Sequence, residues 1–521
     1  MLITPSMSAA RALRARADNT AVPAEAPPQA REPATGRPKL RLAAASRPGM
    51  HKPLRLPLML FGTTLLLLIA HQGRLVELFF PLASFLVAAY FYRSSPAHYL
   101  SFVFWLFFLS PEVRRLADFV NGSFNPKSLV MIAPMLAVTL SGVSLITEYR
   151  AFGQRRTAPL VLIMVGLFYS FFVGMVQVGP AAAGFTLIGW LFPVLVAFRM
   201  VVTWRDYPVY HRVLLKTFVF GGLVMGIYGV IQYVSPPPWD AFWLIASEMA
   251  SEGTPVPYGM RVCSTLNSSG PFSTVMMAVL LMSMAARGRT RIATGVVGIP
   301  ALLFSSVRSA WGGSIIGLLY PLAMLDSKNR ARLIGGVLGF ALLVSPLTMI
   351  EQVAEPLTHR FDSIMNVGSD NSYQVRAAFY QNFMASALTD IAGQGLGATG
   401  AGTKLSTDDT QQLGVVFDSG FMEVPYVLGW PGTFLYTTGV LTLLWRAFAA
   451  SRRRPADSFG VAGVGVAFAL FAMMVFINTI ISLSGMFFFV GVMLPVIGLR
   501  HARESGKEAK APSTRQRGEG R

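Results

Sequence analysis

The sequence predicts an all-α, polytopic transmembrane helical bundle of about fourteen spans, with a long, partly helical loop on one side of the membrane. Three observations predict it: apolar composition, recurring apolar runs, and basic residues grouped in the short connections between those runs. The chain is 53% hydrophobic and 13% charged, with a mean hydropathy of +0.52. A soluble domain carries roughly 25% charged residues, whereas a surface that faces lipid needs none.

The apolar runs give the expected spans, although several are shorter than the roughly 20 residues that a perpendicular helix needs. The runs lie at 57–70, 75–92, 98–110, 128–146, 158–178, 184–203, 213–234, 270–286, 292–307, 309–325, 333–350, 424–446, 459–480 and 484–499. The runs at 292–307 and 309–325 are alternatively one bent element.

Five basic connections set the predicted orientation. They lie at 150–156, 205–212, 287–291, 328–332 and 452–454, and with an even number of spans they share one side with both tails. The positive-inside rule makes that side cytoplasmic. The net charge of +19 is concentrated in the tails and these connections, so we expect membrane lipids and no nucleic acid as partners.

The remaining segments complete the predicted organisation. Residues 1–56 form a disordered basic cytoplasmic tail, 57–350 carry transmembrane helices with an outward loop at 235–269, 351–423 form a large outward loop, 424–499 carry the C-terminal transmembrane helices, and 500–521 form a basic tail. The large loop is expected to contain a helix at 372–388 and a glycine-rich turn, GQGLGATGAG. Cys263 is the only cysteine, which excludes an intramolecular disulfide and a cysteine metal cluster.

Three isolated arginines on the outward side are candidate ligand-binding residues. Arg261 precedes a span, Arg308 lies at the turn between two short spans beside several serines, and Arg376 lies on the expected loop helix. An arginine at membrane depth is costly unless it is paired, so it marks a candidate functional site. Its planar fork matches phosphate oxygens, although a carboxylate ligand, a snorkelling side chain or a side chain that caps backbone carbonyls also fits.

Two carboxylates where the large loop re-enters the membrane are candidate catalytic bases. Asp418 and Glu423 lie in VVFDSGFMEVPYVLGWPG. Either side chain, held near an acceptor hydroxyl, would take its proton. Asp418 is equally suited to cap the following helix, because Asp-Ser-Gly before an apolar run is a common capping sequence. No histidine or cysteine spacing indicates a metal site, and no cofactor is expected.

The order of these motifs resembles the O-antigen ligase and Wzy-type polysaccharide polymerase superfamily. The motifs are an arginine before NSSGPF, then SSVRSAWGG, SYQVR, GQGLG and finally DSGFMEVPYVLGWPG, which together cover roughly 160–446. The resemblance implies a multi-pass protein of the bacterial inner membrane with cytoplasmic termini and periplasmic loops. It also implies a GT-C-like, metal-independent glycosyltransferase that uses sugars on undecaprenyl diphosphate, in exopolysaccharide, capsule or O-antigen biosynthesis.

By the same resemblance, Arg261 and Arg308 match the arginines proposed to hold the donor diphosphate, and Arg376 matches the loop arginine of the polymerases. The ligases carry a histidine where Asp418 stands here, so this departure favours a polymerase over a ligase. The implied partners are lipid-linked oligosaccharide donor and acceptor, with a chain-length regulator and a flippase. The alternatives are ligase-type transfer to a lipid core or protein, and a secondary transporter of an anionic or lipid-linked solute.

Overall fold

The computed structural model describes residues 54–344, 390–405, 417 and 419–510. Within these ranges the chain is predominantly helical, and an isolated β-bridge joins Gly253 and Met260. The expected helix at 372–388, most of the N-terminal tail and the end of the C-terminal tail lie outside the described residues.

The described helices follow the predicted apolar runs closely. They are α1 (Arg55–Ile69), α2 (Gly73–Ser94), α3 (Pro96–Asn121), α4 (Ala133–Thr139), α5 (Val143–Thr147), α6 (Ala158–Gln177), α7 (Pro180–Val202), α8 (Tyr207–Val234), α9 (Pro238–Ala246), α10 (Ser269–Ser283), α11 (Arg289–Phe304), α12 (Arg308–Met324), α13 (Ser327–Val344), α14 (Gly420–Arg452), α15 (Ser458–Met473) and α16 (Ser482–Lys510). The run at 128–146 is divided into α4, α5 and short 3-10 turns, and the runs at 292–307 and 309–325 form two helices rather than one.

Seven of the described helical segments are long and apolar enough to cross a membrane. Several helices also present large apolar side chains outward, such as Leu66 on α1, Leu82 on α2 and Phe434 on α14, each more than 60% exposed. A surface of this kind suits lipid rather than water. The chain is therefore an all-helical protein with helices of membrane type, and the total of about fourteen crossings stays a prediction.

Small residues allow the helix backbones to approach closely. A Cβ atom added to Gly463 of α15 would lie 2.8 Å from the carbonyl oxygen of Gly491 on α16. A Cβ atom on Gly465 would lie 2.5 Å from the carbonyl oxygen of Gly317 on α12. Packing of small residues is the usual basis of helix association where no hydrophobic driving force exists, as in a bilayer.

The structure brings the five basic connections to one end of the bundle. The connections at 287–291 and 328–332 line a single cavity together with Ser458, the first residue of α15. The other connections are joined by Arg446 donating to the carbonyl of Arg156 (3.1 Å), Arg454 donating to the carbonyl of Gly498 (2.6 Å) and the Arg500 guanidinium lying 4.0 Å from the Trp204 ring centre. Their common placement agrees with the sequence prediction, and the assignment of that end to the cytoplasm stays a prediction.

Two helices extend beyond the predicted apolar runs, and one predicted loop contains a short helix. Helix α3 continues past residue 110 to Asn121, because its charged C-terminal turns are buried against other helices. Helix α16 continues to Lys510, so the predicted tail at 500–521 begins as a helix. The loop at 235–269 contains helix α9, whose Trp243 is buried in the protein (2% exposed).

Candidate functional site

Arg261 is held against the turn that precedes Arg308. Its Nε atom donates to the carbonyl oxygen of Ser305 (3.1 Å), and its Nη1 atom donates to the carbonyl oxygen of Ser251 (3.2 Å). The next residue, Val262, donates its backbone N–H to the carbonyl of Phe304 (3.2 Å). The segment that carries Arg261 therefore runs along the end of α11.

Arg308 is the first residue of α12 and follows a tight turn. Ser306 in that turn has a left-handed φ of 57°, which separates the end of α11 from the start of α12. Ser305 is buried, and its hydroxyl donates to the carbonyl of Leu302 (2.6 Å), so it does not provide the open space that its small size suggests. Arg308 itself is half-buried. The carbonyl group that binds Arg261, that of Ser305, therefore lies three residues before Arg308 in the same turn.

The amide of Gln232 on α8 fixes the chain that follows Arg261. Its Oε1 atom accepts backbone hydrogen bonds from Cys263 (3.0 Å) and Ser264 (2.8 Å), and its Nε2 atom donates to Asp240 (2.7 Å). The hydroxyl of Ser264 donates to the carbonyl of Met225 (2.6 Å). Because all of these groups are buried, the position of this segment is set by hydrogen bonds that water cannot replace.

A buried ion cluster supports the same segment, and the sequence reasoning missed it. Arg115 on α3 is fully buried and pairs with Glu112 (2.5 Å) and with Asp240 on α9 (2.8 Å). Its guanidinium also donates to the backbone carbonyl of Ser264. The Tyr228 hydroxyl contacts both Glu112 and Asp240, at 2.7 and 2.9 Å. A charge buried this deeply is stabilised only by such partners.

The available sequence signal for this cluster was the spacing of Glu112 and Arg115. Charged residues three apart on an apolar helix face the same side, and their presence beside an apolar run marks a buried polar site. The prediction ended the span at residue 110, so these side chains were assigned to a connection instead of a helix.

Glu252 links Arg261 to the start of α10. Its backbone carbonyl accepts from the Arg261 N–H (2.9 Å), and both oxygens of its buried carboxylate lie 3.2 Å from the Ser269 N–H in the first turn of α10. A carboxylate at a helix N-terminus is stabilised by the free N–H groups and the helix dipole. Glu252 therefore holds the segment that carries Arg261, and its carboxylate has a structural role at the start of α10.

Glu423 lies in the first turn of α14, and its carboxylate accepts a hydrogen bond from the Thr399 hydroxyl (2.9 Å). Asn478 lies beside the same carboxylate. The two other predicted site residues, Asp418 and Arg376, lie outside the described residues. The structure thus gives Glu423 polar neighbours of its own, and no contact between it and Arg261 or Arg308 appears in the described part of the chain.

The glycine-rich segment near Thr399 is inserted between helices. Helix α14 is broken at Gly429, whose φ of 61° and ψ of 176° are non-helical. Backbone groups freed by the break pair with the inserted segment, since Gly395 donates to the carbonyl of Val427 (3.0 Å) and Trp430 donates to the carbonyl of Ile391 (3.0 Å). The predicted turn is present, but it fills a gap in α14 and is buried rather than lying free in a loop.

Glu423 and Arg308 nevertheless lie at the same end of the bundle. Gly313, in the second turn of α12, packs against Met473 at the end of α15. The next residue, Met474, accepts the backbone N–H of Gly420 at the start of α14 (2.7 Å). The starts of α12 and α14 are therefore neighbours through the end of α15, at the end opposite the basic connections.

The arrangement has a defined chemical character. Two arginines share one turn, a half-buried carboxylate lies at the same end, and a buried ion cluster holds the arginine segment. Among the described residues, no group of three His, Cys, Asp or Glu side chains is placed to hold a metal ion. Guanidinium groups in such a place suit an anionic ligand with several oxygens, such as a phosphate.

Comparison with known proteins adds no assignment. No protein-family model matches the chain, and no curated protein matches it either.

Proposed function

We propose that the protein is a polysaccharide polymerase that acts on repeat units carried by undecaprenyl diphosphate, at the periplasmic face of a bacterial inner membrane. The observation that carries the proposal is the Nε contact of Arg261 with Ser305, in the turn that leads into Arg308. Two arginines are thereby held at the end of the bundle opposite the basic connections. That end is the outer one under the positive-inside rule.

The proposed reaction transfers the growing glycan to the acceptor hydroxyl. The hydroxyl oxygen forms a bond to the anomeric carbon of the donor sugar, the bond between that carbon and the phosphate oxygen breaks, and undecaprenyl diphosphate leaves with the electron pair. Arg261 and Arg308 would stabilise the negative charge that develops on the departing phosphate. The hydroxyl proton passes to a carboxylate, for which Glu423 and Asp418 are the candidates.

The surroundings of Glu423 support it as one of the two candidates. Its carboxylate is half-buried and has the Thr399 hydroxyl and Asn478 beside it. Because a carboxylate has about four acceptor positions, it keeps acceptor capacity for a substrate hydroxyl. The broken helix α14 supports the transporter alternative instead, because discontinuous helices commonly bind solutes in transporters. In this protein the freed backbone groups pair with the segment at 391–395, which favours a packed structural break.

The arginine site is tested by complementing a deletion strain with Arg308→Ala and Arg308→Lys variants and by sizing the surface polysaccharide on gels. We expect Arg308→Ala to reduce polymer formation by about 10²–10³-fold, the usual effect of losing one donor to a developing charge. Arg308→Lys should be nearly as damaging, because lysine lacks the two-pronged fork.

The matched control is Arg150→Ala, which removes an exposed arginine at the opposite end of the bundle. It should leave polymer length unchanged. Membrane levels of each variant are measured by immunoblotting, so that loss of the protein is separated from loss of activity. Polymer of wild-type length from a well-expressed Arg308→Ala protein would contradict the proposed role.

A further inference from the structure

A cavity at the basic end of the bundle is formed by elements that the proposed reaction does not use. It has a volume of about 300 Å³ and lies between the ends of α10 and α12 and the starts of α11, α13 and α15. Ligand pockets in proteins range from about 300 to 1,000 Å³, so the cavity has the size of a small one. Its apolar wall is formed by Met284, Pro321, Leu325, Leu333 and Ala462.

Three arginines surround this cavity: Arg287, Arg291 and Arg332. Arg291 is half-buried, and its hydrogen bond within the described part of the chain is a long one to the carbonyl of Ala286 (3.5 Å). The positive charge of Arg332 is near enough to repel that of Arg291. Like charges held close together raise the energy of the empty site, and a bound anion would relieve that repulsion.

Two carboxylates adjoin the cavity in sequence without lining it. No carboxylate is among the described residues that line it. Asp326, next to the lining residue Leu325, accepts a hydrogen bond from Asn329 (2.6 Å). Asp457, next to Ser458, pairs with Arg454 (3.5 Å) and accepts from the Tyr207 hydroxyl. Among the described residues that line the cavity, three side chains are therefore positively charged and none is negatively charged.

The start of α11 adds to this positive potential. Gly288 lines the cavity and is the N-terminal cap residue of α11, so the free N–H groups of a 16-residue helix lie beside the three arginines. A helix N-terminus carries a partial positive charge and commonly binds phosphate. The helix end and the guanidinium groups thus favour the same kind of ligand.

We propose that this cavity binds a phosphate group, contributed either by an anionic phospholipid or by a soluble phosphate anion. The guanidinium groups of Arg287, Arg291 and Arg332 would bind the phosphate oxygens, and the apolar wall would contact the glycerol and acyl carbons of a lipid. Basic pockets between membrane helices bind the headgroups of anionic lipids in this way. The site is separate from the arginines of the proposed donor site and does not depend on the proposed function.

The test uses the purified full-length protein and two probes, cardiolipin in nanodiscs and inorganic phosphate. The variant combines Arg287→Gln, Arg291→Gln and Arg332→Gln, and the control combines Arg150→Gln, Arg155→Gln and Arg453→Gln, which removes the same charge from exposed positions outside the cavity. Bound cardiolipin is counted by native mass spectrometry. If each arginine contributes a factor of about five to the affinity for cardiolipin, the cavity variant should bind roughly a hundredfold more weakly, and the control should change little.

A second measurement does not depend on the folding of a variant. An arginine-selective dicarbonyl reagent is applied to the wild-type protein, and modification of Arg287, Arg291 and Arg332 is followed by peptide mass spectrometry. Protection by cardiolipin alone supports a lipid site, and protection by inorganic phosphate supports a site for a soluble anion. Equal weakening in both charge variants, or no protection by either probe, would overturn the proposal.

Discussion

Removal of the Asp240 carboxylate tests whether the buried ion cluster holds the segment of Arg261. Asp240 is fully buried on α9 and contacts Arg115 (2.8 Å), the Gln232 amide (2.7 Å) and the Tyr228 hydroxyl (2.9 Å). Asp240→Ala removes all three contacts. It leaves the Arg115 guanidinium with one carboxylate and releases the amide that holds the backbone after Arg261.

The expected cost follows from these contacts. Breaking a buried ion pair by removing one partner destabilises a protein by about 3–5 kcal/mol, because the other charge stays buried. Arg115 keeps its contact with Glu112 at 2.5 Å, so we expect the lower end, about 3 kcal/mol, for Asp240→Ala. Asp240→Asn keeps the shape and one acceptor oxygen, and we expect a loss of about 1.5–2 kcal/mol.

The assay measures the free energy of unfolding in mixed detergent micelles by tryptophan fluorescence. Asp326→Asn is the control, because that carboxylate is exposed, and its change should stay within about 0.5 kcal/mol. Reaction of Cys263 with a maleimide provides a local measurement, because release of the segment should expose a thiol that is buried in the wild-type protein. Stabilities of both Asp240 variants equal to that of the control would refute the proposed role of the cluster.

Three further predictions follow from the structure. Gly395→Ala should sharply lower the yield of folded protein, because its φ is +78° and the new Cβ would lie 2.2 Å from the Gly174 nitrogen. The control is Gly312→Ala, whose Cβ meets nothing within 4 Å and should leave the yield unchanged. Yields are measured by size-exclusion chromatography. Burial raises the pKa of the Cys263 thiol to about 12, so the folded protein should resist maleimide at pH 8. The contribution of the protonated thiol to the free energy of unfolding is present below the thiol's ordinary pKa and is lost as the pH rises. Rapid labelling of folded protein at pH 8 would argue against this burial. Reporter fusions at 400 and 505 should show export at the first position and cytoplasmic retention at the second, and the reverse pattern would overturn the topology.

The helices were largely predictable because apolar runs of sufficient length form helices in any membrane protein. Individual candidates such as Arg261 and Arg308 were also predictable, because an isolated arginine beside an apolar run is expensive. Their shared turn was not, since it depends on contacts from Gln232 and Arg115, which are distant in the sequence. No local pattern specifies which helices such side chains will meet.

The break in α14 is a second feature that the sequence did not reveal. The apolar run around Gly429 is compatible with a continuous helix, because a single glycine costs only about 1 kcal/mol in a helix. What stabilises the break is a separate segment, in which Gly393 and Gly395 lie close enough to the helix backbones to exclude any side chain. The spacing of the glycines predicts a turn, but it does not reveal which helix backbones they pack against.

The proposed function is tested most directly by the lipid-linked saccharides of a strain that lacks this protein. The saccharides are extracted from the membrane and sized by mass spectrometry, with a complemented strain as the control. A polymerase predicts single repeat units on the undecaprenyl carrier and no long polymer. Full-length polymer accumulating on the carrier would identify a ligase instead, and unchanged polysaccharide with a defect in solute uptake would contradict the glycosyltransferase account altogether.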